Sequence, residues 1–250
     1  VATKNIDNTE HEYHLTDTSE KRAELIKVLS KEKGFCFDTE TTNVDANQAE
    51  LVGIAFSTKA HEGWYVPIPT DQEAAQAIVE EFRDVFEDEN IEKYAQNIKY
   101  DGIVMKWYGI EIKGRFFDTM IAHYLMEPGL RHNMDYLAET LLKYQPVSIT
   151  TLIGKKGKNQ LSMRDIAVEK VSDYAAEDAD ITFQLKEVLA PELKKDEPLQ
   201  QLYDVMEEPM VKALIDLEFE GINLNVDFLN DYSVELEKAL MRRSKKSITR

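Results

Sequence analysis

Asp38, Thr39 and Glu40 close an apolar run, Gly34-Phe35-Cys36-Phe37, whose β-type residues predict a strand. Side chains two apart on a strand share a face, so the two carboxylates project together. Like charges held side by side repel unless a cation or a proton lies between them, although a D-x-E triplet also serves as a solvated strand end. A second pair lies in Tyr174-Ala175-Ala176-Glu177-Asp178. There Tyr174 and Asp178 are four apart in a helical stretch and stack on one face. The neighbouring Ala175, Ala176 and Ala179 let that helix approach a sheet closely. The third element, Gln96-Asn97-Ile98-Lys99-Tyr100-Asp101, puts an acid in the first turn of a helix, where it favours the helix dipole. Asn97 stands where it would cap that helix. Each element has a structural reading of its own. Their joint order, D-x-E, N-x3-D, Y-x3-D, is harder to assign to structure alone.

The elements that must position these residues follow from periodicity. Residues 1–20 carry no clear period and read as a polar lead-in, and Glu20–Lys31 reads as a short amphipathic helix. After the strand ending in Asp38 and Glu40, Leu51–Ser57 and Gly63–Pro67 predict two more strands and an antiparallel meander. Asp71 would cap a helix running to Glu87. A strand around Tyr94–Gln96, a helix from Lys99 to Tyr108, and a strand at Arg115–Phe117 with Asp118 capping the next helix give βα alternation. The long run from Val168 to about Lys194 is the strongest helical signal. Strands first, then βα alternation, then helices indicate an α/β protein, a mixed β-sheet flanked by helices. Beyond a boundary at Pro198, Leu199–Glu220 predicts one long helix stopped at Gly221, and Asp227–Lys246 a second. The latter carries Lys238, Arg242, Arg243, Lys245, Lys246 and, beyond it, Arg250, either a solvated face or a basic surface.

The chain of 250 residues carries 30 Lys+Arg against 47 Asp+Glu, a formal charge of -17. Such a balance argues against a nucleic-acid-coating role, which needs Lys and Arg to displace counterions. It leaves room for an enzyme whose carboxylates bind metal ions, because the metals then meet the phosphate. The single cysteine, Cys36, excludes an internal disulfide framework and a cysteine-based zinc cluster. Gly154–Asn159 lacks the G-x4-G-K-[ST] spacing of a phosphate-binding loop, and HEYH at His11–His14 is not the HExxH zinc motif. No apolar run approaches the ~18–20 residues of a membrane span, and no signal-peptide core is present. The expectation is a cytoplasmic monomer without membrane contact. Because it starts at Val1, the chain is expected to be a piece of something longer.

The ordered acids resemble the motifs of the DEDD superfamily of 3′–5′ exonucleases, in its tyrosine-bearing branch. FDTET at Phe37–Thr41, QNIKYD at Gln96–Asp101, FDTM at Phe117–Met120, GKNQL at Gly157–Leu161 and YAAEDAD at Tyr174–Asp180 are similar to the proofreading domain of bacterial DNA polymerase I, family A. The tail, from Glu208-Pro209-Met210 through Phe219-Glu220-Gly221-Ile222, is similar to the start of that polymerase's thumb.

The resemblance implies a ribonuclease H-like exonuclease fold over residues 1–195, followed by thumb helices in a truncated thumb segment, residues 196–250. It implies a two-metal phosphodiesterase with Asp38, Glu40, Asp101, Tyr174 and Asp178 as catalytic residues. Two divalent ions, Mg²⁺ or Mn²⁺, would be held by Asp38, Glu40 and Asp178 and by Asp38 with Asp101. Tyr174, with a reference pKa of ~10, would orient the attacking water rather than deprotonate it. The residues matching Gln96, Asn97 and Tyr100 lie along a bound single strand in the family. Arg131 matches a phosphate-contacting arginine, and Thr41 and Val44 receive the terminal base. The family often has leucine at the position of Val44 and an aromatic residue at that of Ile149. The implied partners are the 3′ end of single-stranded DNA and the remainder of the polymerase chain, whose palm is absent here. An exoribonuclease would share the acids without continuing into a thumb. A non-catalytic scaffold would lack the acids that this chain keeps.

Overall fold

Alternation in Gly34–Thr41 (β2) decides how the sheet is faced. Phe35 and Phe37 are fully buried in one core, with Phe56 of β3 (Leu51–Ser57), Val66 of β4 (Glu62–Pro67), and Leu25 and Leu29 of α1 (Ser19–Leu29). Cys36, Asp38 and Glu40 take the opposite face. The computed structural model describes residues 2–248. Its one mixed sheet has the order β1-β4-β3-β2-β5-β6, where β1 is Glu12–Leu15, β5 Glu92–Ala95 and β6 Phe116–Asp118. β2, β3 and β4 form the expected antiparallel meander, and β5 and β6 run parallel to β2.

The first face is covered by α1, α2 (Gln72–Glu80), α3 (Arg83–Glu87) and α4 (Ile98–Trp107). The other is crossed by α8 (Val168–Leu193), whose Ala175, Ala176 and Ala179 are fully buried. Small side chains are what such an approach requires: a Cβ on Gly63 of β4 would stand 2.7 Å from the Ala176 carbonyl oxygen. α5 (Thr119–Met126), α6 (Met134–Leu137) and a π-helical turn at Ala138–Leu142 pack beside α8, while α7 (Ile149–Ile153) precedes the Gly/Lys loop.

Three expectations are corrected. The lead-in contains β1, which pairs parallel with β4; only Tyr13 and Leu15 turn inward, too little alternation to register as a strand. The helix from Asp71 breaks at Phe82, which has φ -96° and ψ 0° and stacks on Phe56 with ring centroids 5.2 Å apart. That turn brings Phe82, Val85 and Phe86 into the core together. The helix after Pro198 is α9 (Glu197–Leu202), a π-helical turn (Tyr203–Glu207) and α10 (Glu208–Glu220). Pro209 has no N–H and its ring pushes on the preceding turn, which widens there.

Packing divides the described residues into a unit ending at Phe219 and a second beginning at Glu220. The second contains α11 (Val226–Ile248), on which Phe228 and Tyr232 stack at 6.0 Å. Arg250 and the side chains of Arg242, Lys245 and Lys246 lie outside the described residues.

Candidate active site

Period two on β2 and period 3.6 on α8 meet at one point. Asp38 and Glu40 face α8, and one carboxylate oxygen from each of Asp38, Glu40 and Asp178 lies within 4.8 Å of the others. Asp101 arrives by a different route. β2 pairs with β5 only from Gly34 to Cys36, so beyond that point the edge of β2 is open and α4 comes alongside. There Thr39 donates to Asp101 Oδ1 twice, from its backbone N–H at 3.0 Å and from its hydroxyl at 2.6 Å. Thr39 is a site residue that sequence reasoning missed; its only signal was its place between two acids.

The acids sit where charge is costly. Glu40, Asp101 and Asp178 are 6%, 3% and 5% exposed. Burial pushes Asp38 up to about 6. Burial first, and then the Asp38 charge, hold Glu40, Asp101 and Asp178 well above the usual carboxylate range. Tyr174 is pushed up by burial and by the charge of Asp178, so its hydroxyl stays protonated at neutral pH. Asp178 Oδ1 is buried and has no hydrogen-bond partner. A buried oxygen rarely stays unpaired, and one among hard carboxylate ligands fits a divalent cation such as Mg²⁺.

A pH dependence follows from these shifts. Carboxyls raised above their unfolded values of ~3.9 and ~4.3 bind more protons in the folded state. Their contribution to metal-free stability is full below those values and is lost as pH rises through about 6 for Asp38 and higher for the others. A bound cation removes the repulsion. The increase in Tm on replacing EDTA by Mn²⁺ should therefore be small at pH 5 and grow steadily to pH 8. An increase independent of pH would contradict the clustering of charge.

A cleft of about 450 Å³ opens beside Glu40. Thr41, Val44, Asn97, Tyr100, Ile149 and Leu161 line it. Val44 is 94% exposed. Asn97 does not cap α4 as expected. It has φ 66° and ψ 49°, a left-handed conformation that asparagine tolerates, and its side chain makes no cap hydrogen bond. The cap is the buried Asp118, which accepts from Asn97 N at 3.2 Å and Ile98 N at 2.9 Å while capping α5 as predicted. Gln96 lies outside the cleft lining: its amide donates to His132 O at 2.6 Å and its carbonyl accepts from Thr119 Oγ1. This ties it to the loop of Arg131, whose side chain is exposed.

A mixed sheet with carboxylates clustered where β2 runs on past its pairing with β5, and a tyrosine one helical turn from one of them, defines an α/β protein with an acidic site fit for divalent metal. Residues 13–194 match the 3′-5′ exonuclease family of the A-type DNA polymerases, and the chain belongs to that family. It is 34% identical over 227 residues to the DNA polymerase I of Borreliella burgdorferi, covering 90% of this chain and 24% of that protein. With the DNA polymerase I of Pseudomonas aeruginosa it shares 32% identity over 225 residues, 86% of this chain and 24% of the relative. The chain thus spans about a quarter of the length of these relatives. In fold it is similar to Brucella melitensis NrnC, with TM-score 0.65 and 21% identity over 85% of this chain and 95% of that one. It is also similar to the POL domain of Pol1 from M. smegmatis, with TM-score 0.70 and 19% identity over 90% and 35%.

Proposed function

We propose that this 3′–5′ exonuclease domain proofreads for a family A polymerase, hydrolysing the terminal phosphodiester at a single-stranded DNA 3′ end and releasing nucleoside 5′-monophosphates. The observation that carries the reading is the convergence of Asp38, Glu40 and Asp178 around an unpartnered, buried Asp178 oxygen. Asp38, Glu40 and Asp178 would hold one Mg²⁺ or Mn²⁺, and Asp38 with Asp101 a second. The solved Brucella melitensis NrnC with bound Mg²⁺ supports this choice of metal. The chemistry supplied by the bound ions is charge stabilisation at the attacking and leaving oxygens of an in-line displacement.

The chain's own residues do the rest. Thr39 fixes the Asp101 carboxylate by two hydrogen bonds, so this ligand is oriented before any cation arrives. Tyr174, protonated at neutral pH, donates to the attacking water and orients it. Thr41, Val44, Asn97 and Tyr100 receive the terminal nucleotide in the cleft, and Gln96 and Arg131 act on the strand behind it. The exonuclease domain spans residues 1–195, and residues 196–250 begin the thumb of the longer chain. The domain acts as a monomer in the cytoplasm; no helix among the described residues is long and apolar enough to cross a membrane.

Digestion of a 5′-labelled single-stranded DNA with Mg²⁺ or Mn²⁺ tests the reading. A ladder shortening one nucleotide at a time from the 3′ end, absent with EDTA, is expected. No cleavage by folded, metal-loaded protein would overturn it. Tyr174→Phe should lower kcat by about a hundredfold, the lower end of what a positioned proton-handling group contributes. It should leave metal-induced stabilisation intact. An unchanged kcat would remove Tyr174 from the chemistry.

A further inference from the structure

The loop between β2 and β3 is one wall of the cleft at its start and a joint at its middle. Thr41, Thr42, Asn43 and Val44 line the cleft. Three residues on, Asn47 is held from two sides. The Trp107 Nε1–H at the end of α4 donates to Asn47 Oδ1 at 3.2 Å, and Asn47 Nδ2 donates to the Glu218 backbone carbonyl of α10 at 3.2 Å. That carbonyl belongs to the last turn of α10, whose carbonyls lack partners within the helix. The helix end is seated on α4 alongside: Trp107 lies against Phe219 with centroids 4.7 Å apart, and Lys99 pairs with Glu218.

Between joint and cleft the loop is stiff. Asn47 N–H donates to Asp45 Oδ1 at 3.0 Å, and Asp45 N–H to Asn43 Oδ1 at 3.0 Å, two successive side-chain-to-backbone turns. Asn43 C=O in turn accepts from Thr41 Oγ1 at 3.1 Å and from the Tyr100 hydroxyl. Ala46, between joint and wall, is buried in the core. The joint itself is exposed and polar, Trp107 being 51% exposed, and no core burial depends on it. Its hydrogen bonds are of the modest kind that open and close readily.

We propose that Asn47 and Trp107 are positioning residues for the terminal nucleotide. They set the Thr41–Val44 wall from the C-terminal end of α10, so that affinity for the 3′ end depends on how the helix leading out of this unit is seated. The proposal rests on the reading of the cleft as the site of the terminal nucleotide.

In the intact chain, Asn47→Ala and Trp107→Phe, which keeps a ring but loses the N–H, should each raise KM for single-stranded DNA about fivefold, with kcat within about twofold. The dissociation constant of thymidine 5′-monophosphate with Mn²⁺ should rise in step. Lys195→Met removes an exposed ion pair to Glu192 that involves neither α4 nor α10 and should leave KM unchanged. Backbone hydrogen exchange at residues 41–45, measured in EDTA, should quicken in Asn47→Ala. Wild-type KM in both variants, equal losses in kcat and affinity, or unchanged exchange would each overturn the proposal. Failure of the underlying functional reading has a different signature, a wild-type chain that neither cleaves DNA nor binds thymidine 5′-monophosphate, and it overturns the proposal as well.

Discussion

Asp38→Ala is expected to lower exonuclease turnover by at least about a thousandfold, the equivalent of the several kcal/mol that metal-held charge stabilisation supplies. The metal-free fold should be at least as stable as the wild type. Both halves follow from the same geometry. Asp38 is the one acid shared between the two proposed cation positions, and its charge raises each of Glu40, Asp101 and Asp178. Removing it leaves no ligand set complete for either ion, yet it also removes the largest source of repulsion among buried acids. Core truncations normally cost stability, because they remove packed atoms. Here the deleted group is a carboxylate that burial already penalises. The checks are a single-turnover digestion and paired melts in EDTA and Mn²⁺. The variant should show an equal or higher Tm in EDTA and a much smaller increase with Mn²⁺. Turnover within tenfold of wild type would remove Asp38 from the chemistry. A loss of about 3 kcal/mol in EDTA would mean that its carboxylate holds the fold together, as a buried paired charge does.

Sequence carried the site wherever the relevant geometry is local. Asp38 and Glu40 share a face because strand period is two, and Tyr174 and Asp178 because helix period is near four; both placements hold. Asp118 was legible as the cap of its own helix. Its second role, capping α4 across 20 residues, was not, because nothing local marks a carboxylate that serves two helices. Thr39 meets Asp101 across 62 residues at an open strand edge, a contact fixed by where β5 stops pairing with β2. The Gln96 amide is engaged at both ends within the protein, a consequence of loop packing that its motif did not reveal. Among the elements, β1 escaped notice because an edge strand with one half-buried face and four residues carries little pattern. Pro209 was visible, but the widened turn it produces is a response of the helix rather than a break.

The close approach of α8 to the sheet carries the second large prediction. Asp178 and Tyr174 reach the carboxylates of β2 only because α8 lies near the strands, and Gly63 of β4 is where the two surfaces meet. A methyl group there would stand 2.7 Å from the Ala176 carbonyl oxygen and 3.0 Å from the Ala176 Cβ. The nearest obstacle is backbone, so no side-chain rotation relieves it. Gly63→Ala should therefore destabilise the protein by about 3 kcal/mol, at the upper end of ordinary overpacking. Because α8 moves as one helix, the displacement should also separate Asp178 from Asp38 and Glu40 and weaken metal-induced stabilisation. Urea unfolding in EDTA measures the first effect, and Mn²⁺ titration followed by melting the second. A double variant identifies the cause. Ala176→Gly removes the Cβ contact but leaves the carbonyl, so Gly63→Ala with Ala176→Gly should recover little of the loss. Full recovery would show that side-chain crowding, rather than the backbone of α8, sets the distance between helix and sheet on which the carboxylate cluster depends.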